Sequence, residues 1–162
     1  MTDAERDDLR ERLFDARCHV VDFLPRQVPP SRGGEYFAAE RYLTQRAQLD
    51  ELYARFARFA VKLGCYCRFA VSDPASDGWT DGPAPEELAR RIAESASGGT
   101  VHVLAGDERA LLTLDGGDLY LSLYGGEGEF LETARLLAAA EGLFLRPSGA
   151  EIPLGRDRRE AD

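Results

Sequence analysis

The chain is poor in the side chains that most often carry chemistry. Its 162 residues include three cysteines, two histidines, one methionine and one tryptophan. Three cysteines cannot all pair within one chain, so a disulfide framework is excluded and reduced thiols are expected. The sequence also lacks any apolar run of about 18 residues, and its first segment, MTDAERDDLRERLFDAR, is charged where a secretory signal is apolar. These absences predict a soluble, cytoplasmic protein with no membrane partner.

Positive charge is scarce as well. The net charge is −9 at pH 7, and Lys62 is the only lysine beside nineteen arginines. Nucleic-acid binding draws its affinity from clustered cations, so this balance argues against a nucleic-acid partner. The arginine bias suits bidentate recognition of carboxylates or phosphates, but GC-rich coding produces the same bias. The acidic surface favours an unknown protein partner or self-association, for example as a homodimer.

The length and composition fit one domain. With 44% hydrophobic residues, the chain is long enough to bury a single core. We expect a single α+β domain over residues 1–147. The last segment, SGAEIPLGRDRREAD, is polar and charged, so a disordered tail is predicted over residues 148–162.

The N-terminal half alternates helices and strands. Residues 3–16 have a helical pattern, and CHVVDFLP, residues 18–25, is typical of a buried strand. Residues 35–63 carry apolar side chains at helical spacing, which predicts one helix or two in succession. CYCRFAVS, residues 65–72, is typical of a second strand. A long helical connection between two strands predicts a parallel βαβ pair with a right-handed crossover, whose strands begin at the same edge of the sheet.

The C-terminal half has a different pattern. The segments TVHVLA, ERALLTLD and DLYLSLY are typical of short strands, and Gly116 and Gly117 separate the last two as in a hairpin. We therefore expect an antiparallel meander, followed by a helix in EGEFLETARLLAAAE and a strand in LFLRP. The predicted fold class is α+β, with a βαβ pair and an antiparallel β-meander in one mixed sheet and helices covering at least one face.

The last strand of the meander and the helix and strand after it form a recognisable sequence pattern. In DLYLSLYGGEGEFLETARLLAAAEGLFLRP, a strand ending in tyrosine precedes a helix with acidic residues in its first turn, and an EGLF turn follows. This stretch resembles the C-terminal part of small bacterial cytoplasmic proteins of unassigned function. The resemblance implies a compact cytoplasmic α+β domain. It covers packing residues only, so it implies no functional residue.

The cysteines and histidines lie at the starts of predicted strands. Cys18 begins the first strand and Cys65 and Cys67 share one face of the next, so three thiols approach one another if those strands are adjacent. With His102 they have the composition of a Cys3His zinc site. The CxC spacing and the absence of a paired knuckle favour ordinary packing instead, because free cysteine is usually a small buried hydrophobe. We expect neither a metal nor a thiol catalyst.

Two long loops follow the predicted parallel strands, at the end of a sheet where ligands usually bind. The first, LPRQVPPSRGGEY, offers Arg26 and Arg32, and the second, SDPASDGWTDGPAP, offers Asp73 and Trp79. Trp79 is either a loop anchor folded onto the core or an exposed interface residue. Neither a P-loop nor GxGxxG is present, so no nucleotide cofactor is expected.

Asp22 lies inside an otherwise apolar strand, where an unpaired carboxylate is costly. It therefore requires a partner, for which Arg26 and Arg68 are the nearest arginines in the predicted arrangement. A buried aspartate at the ligand end of a strand is a candidate binding residue as well as a structural one.

Three functional hypotheses remain. The first is a non-catalytic interaction or regulatory protein that uses its acidic surface and the loop end around Arg32 and Trp79. The second is a small-ligand-binding protein or enzyme, with Asp22, Arg26, Arg32 and Asp73 in a pocket between the loops that follow the strands at 18–24 and 65–72. The third, based only on size and acidity, is an immunity or antitoxin type of protein.

Overall fold

The computed structural model describes residues 1–148, so the tail predicted from residue 148 lies outside the described residues from residue 149 onward. The described chain forms five α-helices and seven strands. The helices are α1 (Asp3–Leu13), α2 (Gly33–Leu43), α3 (Arg46–Leu63), α4 (Pro85–Glu94) and α5 (Gly128–Ala140). The strands are β1 (Cys18–Asp22), β2 (Ala70–Ser72), β3 (Trp79–Asp81), β4 (Thr100–Ala105), β5 (Ala110–Asp115), β6 (Tyr120–Gly125) and β7 (Phe144–Pro147).

The strands form one seven-stranded sheet in the order β3-β2-β4-β5-β6-β1-β7. The predicted α+β class is confirmed, and the predicted meander is present as the antiparallel neighbours β4, β5 and β6. Strand β1 is inserted between β6 and β7 and pairs antiparallel with both. The sheet thus joins a strand from the start of the chain to strands from its end.

The predicted parallel βαβ pair is wrong. β1 and β2 point in the same direction, because four antiparallel steps separate them, but β4, β5 and β6 lie between them. At about 4.8 Å per strand, this places β1 and β2 about 19 Å apart. The hydrophobic pattern indicates that a strand is buried but does not indicate which strand it pairs with. The right-handed crossover rule holds for parallel strands that are neighbours in a sheet, and β1 and β2 are not neighbours.

One face of the sheet packs against α3, α4 and α5. Leu49, Phe56 and Leu63 of α3 are buried there, as their spacing predicts, whereas Tyr42 is exposed. The difference arises because residues 35–63 form two helices in succession, which is one of the two predicted alternatives, and Tyr42 belongs to α2. Thr44 ends α2 by donating its hydroxyl to the carbonyl of Glu40, and the chain then turns through an extended residue before α3 begins.

The opposite face of the sheet is covered over part of its width by α1. Leu9 and Leu13 of this helix pack on Leu104 and Leu111 of the sheet. Most other residues of α1 are charged or exposed, which agrees with the narrow apolar stripe in its sequence. Over β1, β7 and most of β6, this face is covered by the segment that follows β1 and not by α1. The cavity described below lies there.

The second predicted strand is shorter than its sequence suggests. Residues 64–67 continue from α3 as a turn, in which the amide of Cys65 donates to the carbonyl of Lys62. Only Ala70–Ser72 pairs with the sheet. Cys65 is exposed, and Cys67 packs beside the main core, where burial raises the pKa of its thiol to about 11. The prediction that these cysteines share a strand face is therefore wrong.

Candidate ligand-binding site

A cavity of about 440 Å3 lies on the sheet face opposite the main core, above β1, β6 and β7. Its floor follows from strand alternation and register. Val20 of β1 lies opposite Ser122 on one side and Arg146 on the other, and Asp22 lies opposite Tyr120. All five side chains line the cavity. Its volume falls within the range of about 300 to 1,000 Å3 that is usual for small-molecule pockets.

The segment that follows β1 forms the wall of this cavity. Leu24, Arg26, Val28 and Pro29 line it, and the next residues make a short 3-10 turn before α2 begins. Two consecutive prolines remove backbone donors and restrict the chain, so this segment cannot add a strand to the sheet. It instead folds over the face of β1 that is opposite the main core. The wall that it forms has apolar side chains and one cation, Arg26.

Asp22 pairs with Arg146 on the cavity floor. Its Oδ2 accepts a hydrogen bond of 2.6 Å from Nη2 of Arg146, and its Oδ1 accepts one of 2.7 Å from the amide of Phe23. The two side chains are only 10% and 19% exposed. The predicted partners Arg26 and Arg68 are wrong. β7 lies beside β1 and brings Arg146 to a diagonal position from Asp22, which a long side chain reaches.

Arg146 retains hydrogen-bonding capacity after this contact. Only its Nη2 donates to Asp22, and its buried Nε has no acceptor among the described residues. A guanidinium carries five N–H donors in a fixed plane, so one contact leaves most of them unused. Arg146 therefore keeps N–H donors beyond those used in its contact with Asp22.

Tyr36 brings α2 to the site. Burial raises the pKa of its phenol, and the carboxylates of Glu40 and Asp22 raise this pKa further. The phenol and the Asp22 carboxylate both line the cavity, although they extend from different elements. None of the residues of Gly33–Leu43 is fully buried, so α2 packs loosely on the fold.

Asp73 and Trp79 lie in a different place. They line a second depression of about 400 Å3, together with Asp7 and His102. The hydroxyl of Ser76 donates to Asp73 at 2.7 Å, which lowers the pKa of this carboxyl. Asp73 thus stabilises a turn.

Trp79 is part of strand β3, which lies in the segment predicted to be a loop. Its indole N–H donates to Asp7 of α1 at 2.9 Å, and its ring packs against the cluster that Leu9 and Leu13 of α1 form with the sheet. The side chain is half-buried and anchors α1 to the sheet. Of the two roles weighed for Trp79, the anchor is the one observed.

The prediction that the two long loops enclose one pocket is therefore wrong. Both loops leave the same edge of the sheet, but three strands separate them. Arg32 also lies outside the cavity lining; it is 64% exposed and pairs with Glu35 at 3.3 Å. Of the predicted binding residues, the structure brings Asp22 and Arg26 to this cavity, while Asp73 and Trp79 line the second depression.

The four residues considered for a zinc site are also dispersed. Cys18 lines the cavity, His102 lines the second depression, and Cys65 and Cys67 follow α3. Within residues 1–148, no three histidine, cysteine or acidic side chains are grouped so that they can hold a metal ion. His19 is buried on β1 and points to the opposite side of the sheet from Cys18, because neighbouring residues on a strand alternate.

Sequence reasoning missed Arg146, Tyr36 and Tyr120. A signal for Arg146 was present, because LFLRP places one charge in an otherwise apolar strand, as CHVVDFLP does for Asp22. Two opposite charges in apolar strands predict a pair if the strands are neighbours. No comparable signal marks Tyr36. Its place depends on the fold of the segment after β1 that contains the consecutive prolines, residues 24–30, which we call the proline segment.

No protein-family model matches the chain, and no match was found among curated proteins or solved structures. The resemblance of the C-terminal stretch to small bacterial proteins of unassigned function stays a prediction. Among the described residues, no helix is both long enough and apolar enough to cross a membrane.

Proposed function

We propose that the protein is a small-molecule-binding protein whose ligand occupies the cavity above β1, β6 and β7. The observation that carries this proposal is the buried Asp22–Arg146 pair at the floor of a 440 Å3 cavity. Burying two charges is costly, and well-packed apolar side chains often serve stability better. A buried pair that lines a cavity therefore suits recognition of a polar ligand.

The side chains of the cavity support binding rather than catalysis. Neither histidine of the described chain lines it, and both oxygens of Asp22 already accept hydrogen bonds. A general base requires an acceptor that is available to the reacting proton. The thiol of Cys18 donates to the carbonyl of His19 at 3.4 Å, and no histidine in the cavity activates it.

The proposal is tested by filling the cavity. Ser122 lies on the floor next to Val20 of the middle strand, and Ser122→Trp is expected to occupy the space that a ligand needs. Thr133→Trp is the matched control, because Thr133 is equally half-buried but lies on α5, behind the other face of the sheet. We expect ligand-observed NMR with a fragment library to find binders to the wild-type chain and to Thr133→Trp that Ser122→Trp does not bind. Equal binding by both variants contradicts the proposal.

A second candidate function is self-association through α2. This helix has no fully buried residue, and Phe37 and Tyr42 are 61% and 54% exposed. Exposed aromatic side chains are enriched at protein interfaces. Sedimentation equilibrium tests the idea: a dimer that dissociates in Phe37→Ser supports it, and a wild-type monomer at all concentrations contradicts it.

A further inference from the structure

We infer that the ligand is a small organic anion, with its acidic group bound by Arg26 and Arg146 and its apolar body against the proline segment. This inference rests on the proposed function and names the class of ligand for the same cavity. It has three independent supports, which are the charge of the lining, its hydrogen-bonding capacity and the distribution of its apolar side chains.

The charge of the lining is opposite to that of the chain. The whole sequence carries a net charge of −9, yet the described residues of the cavity lining include two guanidinium groups, Arg26 and Arg146, and one carboxylate, Asp22. Glu40 acts on the Tyr36 phenol but is not part of this lining. A local surplus of positive charge in the lining attracts an anion to it.

Hydrogen-bonding capacity points in the same direction. Asp22 is the only acidic side chain among the described residues that line the cavity, and each of its oxygens already accepts a hydrogen bond. A cationic ligand that approaches Asp22 also meets the guanidinium of Arg146, whose charge repels it. An anionic ligand instead meets the unused donors of Arg146 and the guanidinium of Arg26, which is exposed where the cavity opens. Guanidinium groups bind carboxylates and phosphates through paired N–H donors.

Apolar side chains line the wall away from the charged floor. Leu24, Val28, Pro29 and Pro30 come from the segment after β1, and Leu119 immediately precedes β6. A fully inorganic anion makes no use of these side chains. An anion with an apolar body places that body against the wall while its acidic group reaches the arginines, which matches the mixed lining of small-molecule sites.

Four probes with one body and different head groups test the inference. Full-length protein is titrated with 4-phenylbutyrate, 4-phenylbutyl phosphate, 4-phenylbutanol and 4-phenylbutylamine, and the amide shifts of β1, β6 and β7 are followed by NMR. We expect both anions to bind about tenfold more tightly than the alcohol and the amine, since a charge-assisted hydrogen bond contributes about that factor. The comparison of carboxylate with phosphate identifies which acidic group fits better.

The outcomes separate the two proposals. If the alcohol or the amine binds in the cavity as tightly as the anions, the inference is overturned and the proposed function stands. If none of the four shifts these amides at about 10 mM, a concentration that reveals very weak binding, the inference is overturned. The fragment screen with Ser122→Trp then decides the proposed function separately.

Arg26→Gln provides the matched variant. Arg26 is exposed, so its replacement leaves the fold intact, and Arg32→Gln is the control because Arg32 is an exposed arginine outside the lining. We expect Arg26→Gln to weaken binding of both anions about fivefold to tenfold without changing the affinity for the alcohol. Arg32→Gln is expected to change neither. Equal anion affinities for both variants overturn the role of Arg26.

Discussion

Asp22 and Arg146 are 124 positions apart in the chain, and their side chains meet at 2.6 Å beneath the cavity. This contact links the first strand of the sheet to the last strand in sequence. It satisfies a carboxylate that is almost completely buried, and it leaves the buried Nε of the guanidinium without an acceptor among the described residues.

Removal of Asp22 is expected to destabilise the fold. Asp22→Asn leaves Arg146 charged and largely buried without its counter-ion, and we expect the free energy of unfolding to fall by about 2 to 4 kcal/mol. Asp50→Asn is the control, since its contact with Arg46 at 3.0 Å is between exposed side chains, and we expect a loss below about 1 kcal/mol. Urea denaturation measures both. Equal losses contradict a special role for the buried pair.

Tyr53 is expected to make stability fall at alkaline pH. Burial raises the pKa of its phenol to about 12, from an ordinary value of 10.0, so the folded state holds the proton more tightly than the unfolded state does. Stability is therefore complete below about pH 10 and is lost as the pH rises towards 12. Tyr53→Phe removes the hydrogen bonds to the carbonyls of Asp115 and Asp118 and costs about 1 to 2 kcal/mol at neutral pH. It should also flatten the decline between pH 10 and 12.

His19 is expected to limit stability in acid. Burial and the charge of Arg17 lower the pKa of this imidazole below 6.5, so the folded state disfavours the protonated form. Stability is then present above pH 6.5 and is lost as the pH falls through the lower folded-state pKa.

His19→Leu tests this dependence. It removes a ring whose Nδ1 has no partner among the described residues, so we expect no loss of stability at pH 7.5 and a smaller loss at pH 5 than in the wild-type chain. Thermal unfolding at both pH values measures the change. If the variant loses as much stability between pH 7.5 and pH 5 as the wild-type chain does, a group other than His19 causes the acid sensitivity.

Gly126 is expected to tolerate no side chain. Its φ is +73°, and an added Cβ meets ring carbons of Phe130 at 2.6 and 2.8 Å. Gly126→Ala should therefore lower the free energy of unfolding by about 2 kcal/mol or more, because strain and steric overlap add. Gly33→Ala is the control, since nothing lies within 4 Å of its added Cβ and its φ is negative. It is expected to be neutral or slightly stabilising in urea denaturation.

The sequence predicts the elements of this fold better than their pairing. The meander of β4, β5 and β6 follows from short connections, and α3 follows from apolar spacing, because both depend on nearby residues. The place of β1 between β6 and β7 depends on contacts across the whole chain, which no local pattern reports. Strand β3 was missed because Trp79 lies among prolines, glycines and aspartates that indicate turns.

The candidate site shows the same division. Asp22 was identified because a single charge in an apolar strand is a local feature, and Arg26 because its loop follows that strand. The prediction that Asp73 and Trp79 lie beside them depended on β1 and β2 being neighbouring strands, which they are not. Arg146 carried the same kind of local feature as Asp22, but its relation to Asp22 became visible only when the order of the strands was known.

The insertion of β1 between β6 and β7 also determines when the cavity is formed during synthesis. Its floor requires a strand made at the beginning of translation and one made near its end, so β1 waits for partners that emerge more than a hundred residues later. A chain that stops before Phe144 contains the meander and the main helices but has neither β7 nor Arg146. The proposed ligand binding is therefore expected of chains that extend through β7 and not of chains that stop before it.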